Sequence, residues 1–139
     1  MRKRYYTKSL DVTFSSSKPA EFNENAGVST TADNKYFTVK EVNSYIEGKF
    51  KSDDNLTNIY IKGEISNYKT YPSGHSYFTL KEKGSQLPSV MFYGFKSNLK
   101  FEPKDGMKVI IRGNIEVYVP SGRYQLIAHQ IIEDGAYSF

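Results

Sequence analysis

The stretch from Ile59 to Thr79 constrains the fold of this chain more than any other part of it. Two sets of side chains alternate along its first half: Ile59, Ile61, Gly63 and Ile65 on one side, and Tyr60, Lys62, Glu64 and Ser66 on the other. A period of two is typical of a strand with one buried face. Pro72, Ser73 and Gly74 then predict a turn. After the turn, two inward positions alternate with three outward ones, namely Phe78 and Leu80 against Tyr77, Thr79 and Lys81. The stretch predicts a β-hairpin whose exposed face carries aromatic and basic side chains.

The aromatic content is the most informative part of the composition. The chain has 139 residues, which is the length of one domain with one core. It contains 12 tyrosines and 9 phenylalanines but no tryptophan, more rings than a small core needs. Some rings should therefore lie at the surface, where stacking is one use for them. The net charge of +4 permits an anionic partner without requiring one.

Several classes of protein are excluded or disfavoured by what the sequence does not contain. It has no cysteine, so we expect no disulfide, no thiolate metal site and no cysteine nucleophile. No apolar run approaches the roughly 20 residues that span a bilayer. The basic start, Met1 to Arg4, is not followed by an apolar stretch, so it does not resemble a secretory signal. We expect a soluble cytoplasmic protein with no metal and no cofactor.

Residues 1–34 show no sustained periodicity and are rich in serine, threonine and asparagine. Such a segment buries too little apolar surface to offset the entropy of ordering it. We predict a flexible tail at 1–34 and a folded domain at 35–139. Two alternatives remain open for the tail. Its apolar positions between Tyr5 and Phe14 allow a short added strand, and its basic end allows contact with a phosphate backbone.

A helix is predicted just before the hairpin. Thr38 and Glu41 have the spacing of a capping box, and Phe37 with Val42 has that of a hydrophobic staple. An apolar stripe follows at helical spacing, formed by Val39, Val42, Ile46 and Phe50. We expect one short helix that docks on the sheet and ends at Ser52 to Asn55, before a first strand that begins near Asn58.

Four further strands are predicted after the first. The second runs from about His75 to Lys83 and the third from Leu87 to Tyr93, where Pro88 weakens the strand start or places it at an edge. An irregular segment from Gly94 to Lys108 allows a turn of helix around Ser97 to Phe101.

The last two strands form a long hairpin around Pro120, Ser121 and Gly122, and apolar positions alternate along both of them. Gly113 inside the first of these strands predicts a bulge or a bend. Five strands with short links in about 100 residues favour a closed or partly open small barrel, because closure removes the exposed sheet edges.

Four separated blocks of this sequence resemble one family. They are Ile61 to Asn67, Ser73 to Lys81, Val90 to Phe92, and Tyr118 to Leu126. In this order they resemble the amino-terminal domain of the exodeoxyribonuclease VII large subunit, over about Tyr36 to Gly135. The resemblance implies an all-β fold with one short helix, a five-stranded OB-fold barrel that grips single-stranded DNA. It also implies a nuclease that degrades single-stranded DNA to short oligonucleotides. The implied partners are the small subunit of that enzyme and a catalytic domain that this chain lacks.

The working surface of an OB barrel is its second and third strands with the loops that join strands one to two and four to five. On that basis the candidate nucleic-acid-binding residues are Tyr68, Tyr71, His75, Tyr77, Lys81, Phe92, Tyr118 and Arg123. Two further candidates, Lys62 and Arg112, project from the neighbouring strands. Lys69 and Tyr124 flank this set, and Tyr124 is equally compatible with the core. We predict Tyr77 as the first ring on which a base stacks.

Independent catalysis is not expected of this chain. Phosphodiester hydrolysis typically needs grouped carboxylates for metal ions or a histidine pair for acid–base chemistry. The acidic pairs Asp53-Asp54 and Glu133-Asp134 and the two histidines, His75 and His129, have no spacing that converges on one atom. An alternative function stays open: an OB-type protein-interaction module whose aromatic face docks on a nuclease domain or subunit without touching nucleic acid.

Overall fold

The computed structural model of the protein describes residues 29–31 and 34–137. The described residues fall into two units, which divide between Ile46 and Glu47. In the first unit, β1 (Ser29–Thr31) pairs antiparallel with β2 (Asn34–Tyr36), so that Ser29 lies opposite Tyr36. The possible strand between Tyr5 and Phe14, like the rest of residues 1–28, lies outside the described residues, and the predicted flexibility of the tail stays a prediction.

Helix α1 (Val39–Lys51) begins at the predicted capping box. The backbone N–H of Thr38 donates to Oε1 of Glu41 at 2.9 Å, and the N–H of Glu41 donates to Oγ1 of Thr38 at 3.1 Å. Two of the backbone donors that a helix start leaves unpaired are thereby satisfied. Val39 is 78% exposed and Ile46 is 40% exposed, so these two residues of the predicted apolar stripe are not buried. Phe50, in the last turn of α1, belongs to the second unit and packs against its core.

The second unit is a closed five-stranded barrel, as predicted. Its strands are β3 (Ile59–Thr70), β4 (Ser76–Glu82), β5 (Ser85–Met91), β6 (Lys108–Tyr118) and β7 (Arg123–Glu133). They follow the spatial order β3-β4-β5-β7-β6, and β6 returns to pair with β3. All neighbours are antiparallel except β5 and β7, which pair in parallel through Ser89 with Leu126 and Val90 with Ile127. This short parallel contact closes the sheet.

The barrel interior is filled by apolar side chains from all five strands. Ile65, Met91, Ile111 and Leu126 are fully buried, one from each of four strands, and Phe78 and Leu80 from β4 join the same core. Tyr77 and Lys81 alternate with these β4 residues and are exposed. The predicted faces of the first hairpin are therefore confirmed, and the rings and cations at outward positions reach solvent.

The register between β6 and β7 shifts at Gly113, where a bulge was predicted, but the extra residue lies in β7. Arg112 lies opposite Gln130 but Gly113 lies opposite Ala128, so β7 holds one extra residue, His129, at this point. A Cβ on Gly113 would overlap the carbonyl oxygen of Ile127, which is why only glycine fits. The bulge also corrects the alternation predicted for the last strand. Beyond it the inward position passes to Ile131, whereas uninterrupted alternation would have placed Gln130 inward.

The segment after β5 differs from its prediction. The third barrel strand ends at Met91 rather than Tyr93, because Phe92 leaves the sheet and its carbonyl accepts the N–H groups of Phe95 and Lys96, both at 2.9 Å. These bonds open the short helix α2 (Tyr93–Lys96), one turn before the helical turn predicted at Ser97 to Phe101. The ring of Phe95 stacks on that of the bulge residue His129, with centroids 4.5 Å apart, and this contact holds α2 against β7.

None of the helices in the described ranges has both the length and the apolar character that a membrane span needs.

Candidate nucleic-acid interface

The turn that joins β3 to β4 is held against the start of α2. The N–H of Tyr71 donates to the carbonyl of His75 at 2.9 Å, and Gly74 adopts a φ of 93°, which favours glycine. The Nδ1 atom of His75 accepts the backbone N–H of Tyr93 at 2.9 Å, and its ring meets Phe92 edge to face at 5.1 Å. The ring of Tyr93 lies so close to Gly74 that a Cβ there would come within 2.7 Å of it. The segment from Tyr71 to His75, which we call the anchored turn, is therefore held both by backbone hydrogen bonds and by side-chain contacts with the start of α2.

Tyr77 stands at the centre of the predicted site. Its side chain is 43% exposed on the outer face of β4. Lys69 lies directly opposite it on β3, and the ring of Tyr71 meets it edge to face with centroids 5.4 Å apart. An exposed ring with a cation at the facing strand position is the pairing that a base and its phosphate require.

A bulge in β3 shapes the surface beside Tyr77. The register between β3 and β4 shifts between Ser66 and Lys69, and Asn67 adopts a φ of 53°. Tyr68 therefore turns inward. Its ring lies 5.6 Å from that of Phe78, and its hydroxyl donates to Oγ of the buried Ser76 at 3.0 Å. Tyr68 is consequently half-buried and packs on the core.

These residues enclose a cavity of about 550 Å³, which we call the tyrosine groove. It is lined by Asn67, Tyr68, Lys69, Tyr71, Tyr77, Phe78, Thr79 and Asp105. Three of the predicted site residues, Tyr68, Tyr71 and Tyr77, meet here. His75 lies beside the groove, because its backbone carbonyl accepts the N–H of the groove residue Tyr71, and the ring of Phe92 contacts that of His75.

The two predicted lysines lie together at another end of the barrel. Lys62 and Lys81 line a cavity of about 300 Å³ with Leu80, Leu87 and Tyr124. The Nζ atom of Lys62 is 3.7 Å from Oδ2 of Asp134, and Lys81 lies opposite Glu64 in the strand register. Tyr124, for which a core position was left open, is 55% exposed, and its ring lies 6.1 Å from that of Phe50.

The other three candidates lie on β6 and β7. Tyr118 and Arg123 face each other at the ends of these strands, beside the last turn, and both are exposed. Arg112 donates from its guanidinium to Oδ1 of Asn58 at 2.9 Å and to Oε1 of Gln130 at 3.3 Å. Because β6 pairs with neither β4 nor β5, the structure does not bring Arg112 to Tyr77. A role for Arg112, Tyr118 and Arg123 in binding stays a prediction.

The sequence did not identify Asn67, Thr79 and Asp105 of the groove, or Tyr93 beside the anchored turn, as site residues. Asp105 lies in the segment that was predicted to be irregular, and Tyr93 was assigned to a strand. In the part of the chain that the structure describes, no group of three or more His, Asp or Glu side chains is placed to hold a metal ion.

Comparison with known proteins agrees with this architecture. A family of domains described as "OB-fold nucleic acid binding domain" matches residues 37–132. The chain therefore belongs to the family of OB-fold nucleic-acid-binding domains. Its curated relatives include the exodeoxyribonuclease 7 large subunits of Bacillus subtilis, 50% identical over 100 residues, and of Bacillus cytotoxicus, 46% identical over 100 residues. The resemblance noted from the sequence is thus confirmed.

The matched region is only part of those relatives. Each alignment covers 72% of this chain and 22% of the relative, so the chain spans about a fifth of their length. Among solved structures, a replication protein A heterotrimer bound to single-stranded DNA matches with a TM-score of 0.45 and 10% identity, covering 56% of this chain and 57% of that one. The second OB-fold domain of replication protein A from Methanococcus maripaludis matches with a TM-score of 0.40 and 15% identity, covering 55% and 82%.

Proposed function

We propose that this OB-fold domain binds single-stranded DNA and that the tyrosine groove, with the adjoining rings of His75 and Phe92, is its central contact surface. The observation that carries the proposal is the exposed ring of Tyr77, which has Lys69 across the strand pair and Tyr71 at its side. Stacking on an aromatic side chain contributes about 1–3 kcal/mol per base, and it tolerates any sequence because every base has a flat face.

The chemistry of the groove suits an unpaired strand better than a duplex. Bases in a duplex stack on one another and expose only their edges in the grooves, so a protein ring gains a base face only where the strand is single. The predicted lysines Lys62 and Lys81 would neutralise phosphates, and they lie outside the tyrosine groove. We infer that the strand places its bases against the groove and passes its backbone towards the lysines at the barrel end.

The role of the domain in a larger protein follows from its relatives. Their shared name is that of an exodeoxyribonuclease large subunit, and this chain spans about a fifth of them. We propose that the domain holds single-stranded DNA for a nuclease that degrades it to short oligonucleotides. A catalytic domain outside this chain and the small subunit of the same enzyme would then be its partners.

The test is a titration with a mixed-sequence oligonucleotide of about 12 nucleotides, near the site size of about 4–16 nucleotides known for OB folds. We expect backbone amide shifts at the groove and a logarithm of the affinity that falls linearly with the logarithm of the salt concentration. Replacement of Tyr77→Ala should weaken binding by about 1–3 kcal/mol through the lost stacking. The matched control is Tyr60→Ala, which removes a 64% exposed tyrosine from β3 and should leave the affinity unchanged.

Two results would contradict the proposal. The first is equal affinity of the wild-type protein and the Tyr77→Ala variant. The second is a set of shifts confined to the basic N-terminal residues, which would indicate charge attraction alone. A folded domain that binds no oligonucleotide at low salt would instead favour the protein-interaction alternative.

A further inference from the structure

The tyrosine groove contains one acidic side chain, Asp105. Its Oδ1 atom accepts the backbone N–H of Tyr68 at 2.8 Å, so the carboxylate is held at the groove wall. The next residue is fixed as well, because the N–H of Gly106 donates to the carbonyl of Ile65 at 2.8 Å. The acid is therefore positioned by the barrel and not left on a loose loop.

A carboxylate in this place works against binding of the backbone. Phosphates carry negative charge, and a like charge beside them weakens the affinity. A base edge is a different partner, because exocyclic amino groups donate hydrogen bonds and a carboxylate only accepts them. The position of Asp105 among rings therefore suits contact with a base and not with a phosphate.

The other polar groups of the groove do not cancel this preference. The amide of Asn67 and the hydroxyl of Thr79 can each donate or accept, so neither discriminates between bases. Lys69 only donates hydrogen bonds, but it lies on β3, opposite Tyr77. Its long side chain suits contact with a phosphate of the bound DNA. Asp105 is the one groove residue that only accepts.

We propose that Asp105 makes the tyrosine groove a base-reading pocket that prefers cytosine to thymine. Cytosine presents the N4 amino group as a donor. Thymine presents the O4 carbonyl at the same place, and its oxygens would face the carboxylate and be repelled. In this arrangement the base stacks on Tyr77, its amino edge donates to Asp105, and its phosphate lies towards Lys69. The proposal rests on the proposed function, since it concerns the same groove.

The experiment compares the dissociation constants of oligo(dC) and oligo(dT), each of about eight nucleotides, at neutral pH. The wild-type protein should bind oligo(dC) more tightly. In the Asp105→Asn variant one oxygen remains to accept from Tyr68, while the new amide group donates and suits the thymine carbonyl. The ratio of the two dissociation constants should therefore move towards oligo(dT) by about tenfold, the scale of one hydrogen bond to a charged group.

A matched control separates base reading from charge. Glu102→Gln removes the same charge from the same loop, but Glu102 pairs with Lys96 at 3.5 Å and does not line the groove. It should change both affinities by the same factor. A second measurement uses the wild-type protein alone, so that folding of a variant is not at issue: oligonucleotides with N4,N4-dimethylcytosine lack the amino donor and should lose the preference.

The outcomes distinguish the two proposals. If Asp105→Asn strengthens both oligonucleotides equally, Asp105 acts by charge alone and the base-reading proposal is overturned while the proposed function stands. Equal binding of the cytosine and dimethylcytosine oligonucleotides overturns it in the same way. If neither oligonucleotide binds the wild-type protein, the proposed function fails and the base-reading proposal fails with it.

Discussion

The rings of Tyr71 and Tyr77 meet edge to face, with centroids 5.4 Å apart and planes at 90°. Tyr71 is the first residue after β3, and Tyr77 is the second residue of β4, so the pair bridges the two ends of the anchored turn. Such a pair is favourable because the positive edge of one ring faces the negative face of the other, which contributes about 0.5–1.5 kcal/mol. Tyr71 thereby restricts the orientation of the ring on which we expect a base to stack.

This relationship predicts that the two tyrosines are coupled in binding. We expect the losses of affinity from Tyr71→Ala and Tyr77→Ala to be non-additive by about 0.5–1.5 kcal/mol in a double-mutant cycle. Oligonucleotide titrations of the wild type, both single variants and the double variant provide the measurement. A parallel cycle of Tyr77 with Tyr118, which lies on another strand, should be additive. Additive losses in both cycles would show that Tyr71 does not position Tyr77.

The hydrogen bond from Tyr93 to His75 predicts the tautomer of that histidine. Because Nδ1 accepts at 2.9 Å, the ring proton must lie on Nε2. Nitrogen chemical shifts of the ring should show the tautomer that carries its proton on Nε2. His75→Asn keeps an acceptor at a similar place, whereas His75→Phe keeps the ring contact with Phe92 and loses the acceptor. The Tyr93 amide should therefore exchange with solvent faster in the phenylalanine variant, by about 0.5–1.5 kcal/mol in opening free energy. Equal exchange in the two variants would contradict the anchoring.

The bulge predicts that Gly113 tolerates no side chain. A Cβ at this position would overlap the backbone carbonyl of Ile127, which the paired strands hold in place. We expect Gly113→Ala to lower the free energy of unfolding by about 2 kcal/mol or more, as measured in urea. Gly48→Ala is the control, because a Cβ there meets nothing within 4 Å. Alanine in the helix should raise the stability by about 0.4–1 kcal/mol, and a loss of similar size in both variants would count against the bulge.

His129 predicts a pH dependence of stability. Burial lowers the pKa of His129 from its usual value of 6.5, the positive charge of Arg112 lowers this pKa further, and Glu116 opposes the shift. The unfolded chain therefore binds a proton on this residue at a higher pH than the folded chain does. The contribution to stability is complete above about pH 6.5 and falls as the pH drops towards the lowered pKa of the folded state.

The measurement is the free energy of unfolding across this window for the wild-type protein and for His129→Gln. The variant also loses the stack on Phe95, so its stability should be lower at every pH. The slope is the test: the wild-type curve should fall more steeply than that of the variant as the solution is acidified below about pH 6.5. Parallel curves would show that His129 does not titrate at a lowered pKa.

Much of the barrel follows from local sequence because the signals are local. The outward positions of Tyr77 and Lys81 come from a period of two, and the helix start comes from the spacing of Thr38 and Glu41. Gly113 inside β6 predicts an irregularity at this point of the sheet, but it does not predict how the residues of β7 are displaced. The pairing of β6 with β7 decides that displacement, because the extra residue His129 in β7 changes which later side chains face the core.

The sequence by itself determined the existence and order of the five barrel strands, the helix start and the face of the first hairpin that carries rings and cations, since these depend on neighbours a few positions apart. Only the tertiary structure decided that β5 closes on β7, that Arg112 donates to Asn58 and Gln130, and that Asp105 enters the tyrosine groove. Asp105 and Tyr68 are 37 positions apart, and their hydrogen bond exists only because the closed barrel brings the loop before β6 beside the bulge in β3. No period or spacing along the chain records such a contact.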